Sequence, residues 1–141
     1  MKISHLYATD FYEKCKDESL ESRLKYFYSS WNFIRDRNFF FAENSDGKIV
    51  GVLCLMIDYE DSSNYFLEFV TIDEEFKNQG ISTKLIKKSL EFCAELKKNL
   101  KTGKFSPEGA KYIAPKLDTL CSNQKISWVN KDDYKFSIID G

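Results

Sequence analysis

The feature that most restricts the fold of this chain is the run KIVGVLCLMID at residues 48–58, which is apolar at nearly every position. A strand with one face in water alternates apolar and polar side chains, so an unbroken apolar run indicates a strand covered on both faces. Such a strand lies in the middle of a sheet, between packed layers. The 141 residues suffice for one domain with this core and are too few for two ordinary domains. We therefore expect a single domain over residues 1–141.

The segments around this strand predict a sheet flanked by helices. Periodic apolar residues predict helices over 19–37 and 82–100, and apolar runs predict strands over 38–43, 48–58 and 65–72. The pair Asp46-Gly47 supplies the positive φ of a tight hairpin between the first two strands. The residues before the first helix are strand or loop.

The C-terminal part is predicted to add a helix and a closing hairpin. Residues 101–104 are interpreted as a loop, after which Ser106 is a typical N-cap and Pro107 a typical first helical residue. Pro115 is expected to kink or end this helix. Strands over 125–129 and 134–139 are predicted to form the hairpin. The order of elements predicts a mixed α/β (α+β) fold with an open sheet.

Composition narrows the class of protein. Hydrophobic residues make up 43%, and 21 basic residues balance 22 acidic ones, which is typical of a soluble globular protein. A net charge of −1 does not favour a nucleic-acid partner. The four cysteines are scattered and His5 is the only histidine, so we expect reduced thiols and no metal site. Without a signal-peptide h-region or a membrane-spanning apolar run, we expect a cytoplasmic protein with no membrane partner.

The junction FVTIDEEFKNQGIST at residues 69–83 joins an apolar strand to a lysine-rich helix through a glycine turn. The first amides of a helix have no partner within it, and Gly80 allows the backbone to approach an anion such as phosphate closely. Lysines at the positive end of a helix are each disfavoured by about 0.3–1 kcal/mol, which a bound anion would offset. Those lysines are Lys77, Lys84, Lys87 and Lys88. The alternative is an ordinary connection with lysines that only solvate the helix.

Residues 72–82, IDEEFKNQGIS after an apolar strand, resemble the acetyl-CoA motif of the GCN5-related N-acetyltransferase (GNAT) family. In that motif a strand-ending Val or Ile precedes an (Arg/Gln)-x-x-Gly-x-(Gly/Ala) turn. The likeness covers about residues 20 to 100, because the helix, the hairpin and the motif strand follow the order of the family. It implies a GNAT-like acyl-CoA N-acyltransferase fold with an open, mostly antiparallel sheet flanked by helices.

The resemblance also implies how the chain would hold acetyl-CoA. Backbone groups of Val70, Thr71 and Ile72 would pair with the pantetheine arm, and Lys77 stands where the family has Arg or Gln. Ser82 replaces the final Gly or Ala of the motif. The pyrophosphate would be held by amides of the loop and helix start, namely Asn78, Gln79, Gly80, Ile81, Ser82 and Thr83.

The candidate catalytic residues are less well defined by the sequence. Strict alternation along the strand places Glu68, Val70 and Ile72 on one face, so Glu68 is the candidate base and the Val70 amide the candidate oxyanion donor. The alternative for Glu68 is a salt bridge at the rim. The family's Tyr-x-x-x-Gly-Phe segment, whose tyrosine often protonates the leaving thiolate, is missing. Tyr112 and Tyr134 are the remaining candidates for that acid.

Three functions remain open at this point. The first is an N-acetyltransferase that moves acetyl from acetyl-CoA to a primary amine on a small molecule or peptide. The second is a catalytically inactive binding or regulatory module that keeps the fold, which the missing tyrosine segment would explain. The third is a protein-interaction domain with an aromatic-rich surface. Many relatives pair, so the resemblance leaves a homodimer open.

Overall fold

The computed structural model describes residues 1–16 and 36–130. Its strands are β1 (Lys2–Tyr7), β2 (Arg37–Glu43), β3 (Ile49–Ile57), β4 (Asn64–Ile72), β5 (Asn99–Lys101) and β6 (Trp128–Val129). Its α-helices are α1 (Ala8–Lys16), α2 (Ile81–Glu95), α3 (Pro107–Tyr112) and α4 (Ala114–Asn123), and a short 3-10 helix spans Glu74–Phe76. No helix within the described ranges is long and apolar enough to cross a membrane.

The strands form one sheet in the order β1-β2-β3-β4-β5-β6. Neighbours from β1 to β4 are antiparallel, whereas β5 runs parallel to β4 and β6 runs parallel to β5. The predicted fold class, a mixed α/β fold with an open, mostly antiparallel sheet flanked by helices, is confirmed. The predicted central strand is also confirmed, because β3 is paired on both edges and buried from Ile49 to Leu55.

The hairpin between β2 and β3 turns where the sequence predicts it. Gly47 has φ of 80°, a conformation that glycine adopts without steric cost. The side-chain oxygen of Asn44 accepts hydrogen bonds from the amides of Asp46 and Lys48, each at 3.0 Å. The turn is therefore fixed by local side-chain chemistry.

Helices cover both faces of the sheet, which we name the α2 face and the α1 face. On the α2 face, Leu85 and Leu90 pack against β-strand side chains that include Leu53. On the α1 face, Phe11 stacks on Phe39 with ring centroids 4.4 Å apart, in a cluster that also contains Cys54. The continuous apolar run of β3 supplies side chains to both clusters.

The predicted C-terminal end of the second helix is wrong. Helix α2 stops at Glu95, Leu96 is 47% exposed, and Asn99–Lys101 form strand β5 instead of helix and loop. Lys97 takes a φ of 55°, and the amide of Lys98 donates to the Cys93 carbonyl at 2.8 Å, as in a Schellman cap. Glycine or asparagine usually marks this position, and lysine gives no such signal.

The prediction for the first helix can be judged only at its end. Residues 19–35 lie outside the described part of the chain, and Arg37 begins β2 instead of ending a helix. The residues before this predicted helix, for which strand or loop was expected, form β1 and α1.

The predictions for the C-terminal part are confirmed in part. The side chain of Ser106 caps α3 by accepting from the Gly109 amide at 3.1 Å, and the helix breaks before Pro115, which lies in the first turn of α4. The strand predicted over 125–129 is only Trp128–Val129, and it pairs in parallel with β5. The other half of the predicted hairpin, 134–139, lies outside the described residues.

Candidate active site

Strands β4 and β5 pair over a short stretch and then separate. Residues 64–66 of β4 pair with 99–101 of β5, whereas β4 continues to Ile72. Between the two diverging segments lies a cleft of about 800 Å³, which we name the β4–β5 cleft. Its walls are β4 with the start of α2 on one side and residues 102–109 with parts of α3 and α4 on the other.

One end of the cleft is the loop before α2. Asn78 and Gly80 have φ of 64° and 78°, and Gly80 is the N-cap of the helix. The amide of Lys84 donates to the Gly80 carbonyl at 3.2 Å. The amides of residues 78–83 donate no hydrogen bond to any residue in the described ranges. A Cβ on Gly80 would meet no atom within 4 Å. Unpaired amides at a positive helix end, beside open space, can bind an anion.

Most of the residues predicted to bind the cofactor meet in this cleft. Those that line it are Val70, Thr71, Ile72, Lys77, Asn78, Gly80, Ile81 and Ser82. Gln79 and Thr83 do not line it. The junction is held by close packing behind it, because a Cβ on Gly51 of β3 would lie 2.8 Å from Ile72 Cδ1 and 3.3 Å from Ile81 Cγ2.

Lysines reach the loop from two directions. The Nζ of Lys77 lies 3.1 Å from carboxylate oxygens of both Glu74 and Glu108. The hydrogen bond to Glu108, followed by that to Glu74, raises the pKa of Lys77. The Nζ of Lys116, on α4, donates to the hydroxyl of Thr83 at 2.9 Å. Both contacts connect the α2 side of the cleft to its α3–α4 side.

The structure changes which lysines are candidates for an anion site. Lys84, Lys87 and Lys88 are exposed on α2 and do not line the cleft. Lys116 lines it but was missed by sequence reasoning, because it is thirty-three positions from Thr83 along the chain. Its position after Pro115 in the first turn of a helix gives no local signal of that contact.

The predicted face of Glu68 is wrong. Cys54 of β3 pairs with Phe69 and Leu55 with Leu67, so Glu68 is the extra residue of a β-bulge. The bulge resets the alternation: Val70 and Ile72 pack on the α2-face cluster, whereas Glu68 contacts Cys54 of the α1-face cluster. Strict alternation had placed all three on one face.

Glu68 lines the cleft and forms a two-point ion pair with Arg37. Arg37 donates from Nε to Oε2 at 2.6 Å and from Nη2 to Oε1 at 2.5 Å, and the thiol of Cys54 donates to Oε2 at 3.4 Å. Burial opposes the charge on Arg37, but the hydrogen bond and charge of Glu68 prevail and raise the pKa of Arg37. Burial, with the charge of Glu68, raises the pKa of Cys54 well above its usual value, so this thiol is a donor and a poor nucleophile.

Of the two tyrosine candidates for the acid, only Tyr112 lies in the described part of the chain. Tyr112 is the last residue of α3, is 52% exposed and lines the cleft. The ammonium of Lys111 lies 5.1 Å from the centroid of its ring. Tyr134 lies outside the described residues. Within those residues, no group of three or more His, Cys, Asp and Glu side chains is placed to hold a metal ion.

Solved structures that share this fold include acetyltransferases. GCN5 from Tetrahymena has a TM-score of 0.62 at 15% identity, covering 82% of this chain and 77% of its own. Aminoglycoside 6'-N-acetyltransferase AAC(6')-Ih from Acinetobacter baumannii has a TM-score of 0.53 at 15% identity, covering 84% and 88%. Aminoglycoside N-acetyltransferase AAC(6')-Iy, solved in complex with CoA, has a TM-score of 0.54 at 19% identity, covering 84% and 89%.

These likenesses define the fold as that of the acetyltransferases. A family model described as the acetyltransferase (GNAT) family matches residues 1–105. The chain therefore belongs to the GNAT acetyltransferase family, as the motif at 72–82 had indicated. No curated protein matches the sequence at a significant level.

Proposed function

We propose that this protein is an N-acetyltransferase that transfers acetyl from acetyl-CoA to a primary amine, with both substrates bound together. The observation that carries the proposal is the row of amides at 78–83, which make no hydrogen bond to the described residues and lie beside open space at Gly80, at one end of the β4–β5 cleft. Membership of the GNAT family and the CoA held by AAC(6')-Iy support it.

The residues present fit acetyl-CoA, which would supply an acetyl thioester. The amides from Asn78 to Thr83 would bind its pyrophosphate, assisted by Lys77. The stretch of β4 at Val70 and Thr71, beyond the pairing with β5, would carry the pantetheine arm, with Ile72 in the cleft wall. The cleft volume of about 800 Å³ is within the usual range for a cofactor site.

Acetyl transfer needs a free amine, stabilisation of the carbonyl oxygen and a proton for the sulfur. Glu68 would take the proton from the acceptor's ammonium, directly or through water. The amide of Val70 would donate a hydrogen bond to the carbonyl oxygen while the new C–N bond forms and the C–S bond breaks. Tyr112 or Tyr134 would then give its proton to the departing sulfur.

Binding is the first test of this proposal. We expect isothermal titration to show acetyl-CoA binding with one site per chain. We then expect release of CoA when the protein is offered polyamines, amino acids, aminoglycosides or lysine peptides, with the acetylated amine identified by mass spectrometry. Binding without transfer to any acceptor would favour the alternative, an inactive module of the same fold. Absence of CoA binding would reject the proposal and favour a protein-interaction domain.

We also propose that residues 1–141 act as one domain in the cytoplasm. All four cysteines are free thiols and buried, as in a protein that folds in a reducing compartment. Burial raises the pKa of Cys93 and of Cys121 to about 12, so both are expected to stay protonated and unreactive. Limited proteolysis that yields one stable core, and fractionation of cells that produce the protein, would check the two statements.

A further inference from the structure

Four side chains from four separate elements meet beside the cleft on the α1 face. They are Tyr12 of α1, Arg37 of β2, Cys54 of β3 and Glu68 of β4. Tyr12 interacts with Arg37, and burial, the largest cause, raises the pKa of Tyr12 to about 12, so its hydroxyl is a neutral donor or acceptor at physiological pH. Arg37 thus carries the positive charge of this group and Glu68 the negative one.

The two carboxylate oxygens of Glu68 accept different numbers of hydrogen bonds. Oε2 of Glu68 accepts from both Arg37 Nε and Cys54 Sγ, whereas Oε1 accepts from Arg37 Nη2 alone within the described part of the chain. A carboxylate oxygen accepts about two hydrogen bonds. The Glu68 side chain is 25% exposed, and it lines the cleft. Oε1 therefore has one acceptor position left, on a side chain that lines the cleft.

The partner of Glu68, Arg37, sets the orientation of the carboxylate. Arg37 is only 5% exposed at its side chain, and its guanidinium stays protonated at any physiological pH. A two-point contact between a planar guanidinium and a carboxylate fixes the plane of the carboxylate, which a lysine cannot do. Without this pair, the thiol of Cys54, a weak donor, would contact only Oε2 and would not fix the plane of the carboxylate.

We propose that Arg37 is a positioning residue for the acceptor end of the reaction, acting through Glu68. It holds the Glu68 carboxylate in one orientation, so that Oε1 receives an N–H of the acceptor amine. This inference rests on the proposed acetyltransferase function. It adds that a buried arginine of β2, which touches neither substrate, determines how fast the amine reacts and leaves acetyl-CoA binding alone.

The test compares Arg37→Met and Arg37→Lys in the wild-type and Glu68→Gln backgrounds. The probe reactions are acetylation of spermidine and slow hydrolysis of acetyl-CoA, in which water replaces the amine. Loss of orientation at a reacting group costs about 100-fold in rate. We therefore expect Arg37→Met to lower the rate of spermidine acetylation about 100-fold and to leave the affinity for acetyl-CoA unchanged. Arg37→Lys should recover part of the rate, because it keeps the charge and one hydrogen bond. In the Glu68→Gln background, Arg37→Met should cause no further loss.

Lys101→Met is the matched control, since Lys101 also pairs with carboxylates, those of Asp58 and Glu60, but does not line the cleft. It should leave both rates unchanged. An equal loss from Arg37→Met in the two backgrounds would overturn the inference, as would a parallel loss of acetyl-CoA affinity or of rate in Lys101→Met. Melting temperatures of all variants identify loss of folding. A wild-type protein that fails to bind acetyl-CoA would instead reject the proposed function itself.

Discussion

The two ends of the β4–β5 cleft are built in different ways. The end at 77–83 is made of backbone amides in one continuous loop, with Gly80 at its centre. At the other end the cleft is lined by the side chain of Glu68, which is held by Arg37 and Cys54, so that three strands are involved. A backbone site needs only a turn with the correct φ and ψ angles, whereas a side-chain site needs the whole sheet to form first. The backbone site can therefore be predicted from the local sequence, and the side-chain site cannot.

This difference predicts separate effects for substitutions at the two ends. Changes at the loop should alter the affinity for acetyl-CoA, and changes at the other end should alter the rate of transfer. Each variant below is paired with a control that shares its physical cost but lies outside the cleft.

Gly80→Arg should have the largest effect, because a long side chain would fill the space beside the amides. We expect the affinity for acetyl-CoA to fall at least about 100-fold in isothermal titration. Gly47→Arg is the control: its φ of 80° matches the 78° of Gly80, and neither position has an atom within 4 Å of a Cβ. Equal loss of affinity in both variants would mean that strain, and not the loop, is responsible.

Tyr112→Phe should lower the turnover of acetyl transfer about 100-fold if this hydroxyl protonates the sulfur, while acetyl-CoA binds as before. Steady-state kinetics with the best acceptor measures both. Tyr59→Phe is the control, since Tyr59 is also exposed and its hydroxyl donates to Asp36 outside the cleft. An unchanged rate in Tyr112→Phe would leave Tyr134 as the acid candidate.

Lys116→Ala should weaken acetyl-CoA binding about 5-fold, because a charged donor beside the helix start is lost. The loss should shrink at high salt, since exposed charges are screened. Lys87→Ala removes an exposed lysine of α2 that does not line the cleft, and should change the affinity little. If the two variants behave alike in titrations at low salt, Lys116 has no specific role.

Glu108→Gln should have the smallest effect and the opposite sign. It removes a carboxylate that holds Lys77 at 3.1 Å, so the lysine becomes more available to phosphate and the affinity should rise about 2-fold. Glu75→Gln, an exposed acid of the same loop region, is the control. A drop in affinity for Glu108→Gln would show that the carboxylate supports the site instead of competing with it.

Sequence reasoning predicted the parts of the fold that depend on local pattern. The strands at 38–43, 48–58 and 65–72 and the break before Pro115 follow from periodicity and from proline geometry, and all appear. The end of α2 was missed because Lys97 adopts a positive φ without the glycine that usually marks it. β5 was missed for the same reason, since its three residues were assigned to the helix and the loop that follows it.

The candidate site shows the same limit. Gly80 and Lys77 could be located because their roles depend on neighbours within a few residues. The ion pair between Glu68 and Arg37 could not be predicted, because Arg37 was assigned to the end of a helix. The bulge at Glu68 contains no glycine or proline that would indicate it in the sequence. Lys116 meets Thr83 only after α4 has packed, so no spacing along the chain encodes that contact.

The bulge at Glu68 has a further consequence for how the molecule tolerates length changes. Because β4 carries one residue more than its partner at that point, removal of a single residue between Leu67 and Phe69 would restore regular pairing. The residue removed would be Glu68 itself, so the strand would remain intact but would lose the carboxylate that pairs with Arg37. A one-residue deletion that a simple sheet absorbs at its ends would, in this strand, remove the candidate base from the cleft.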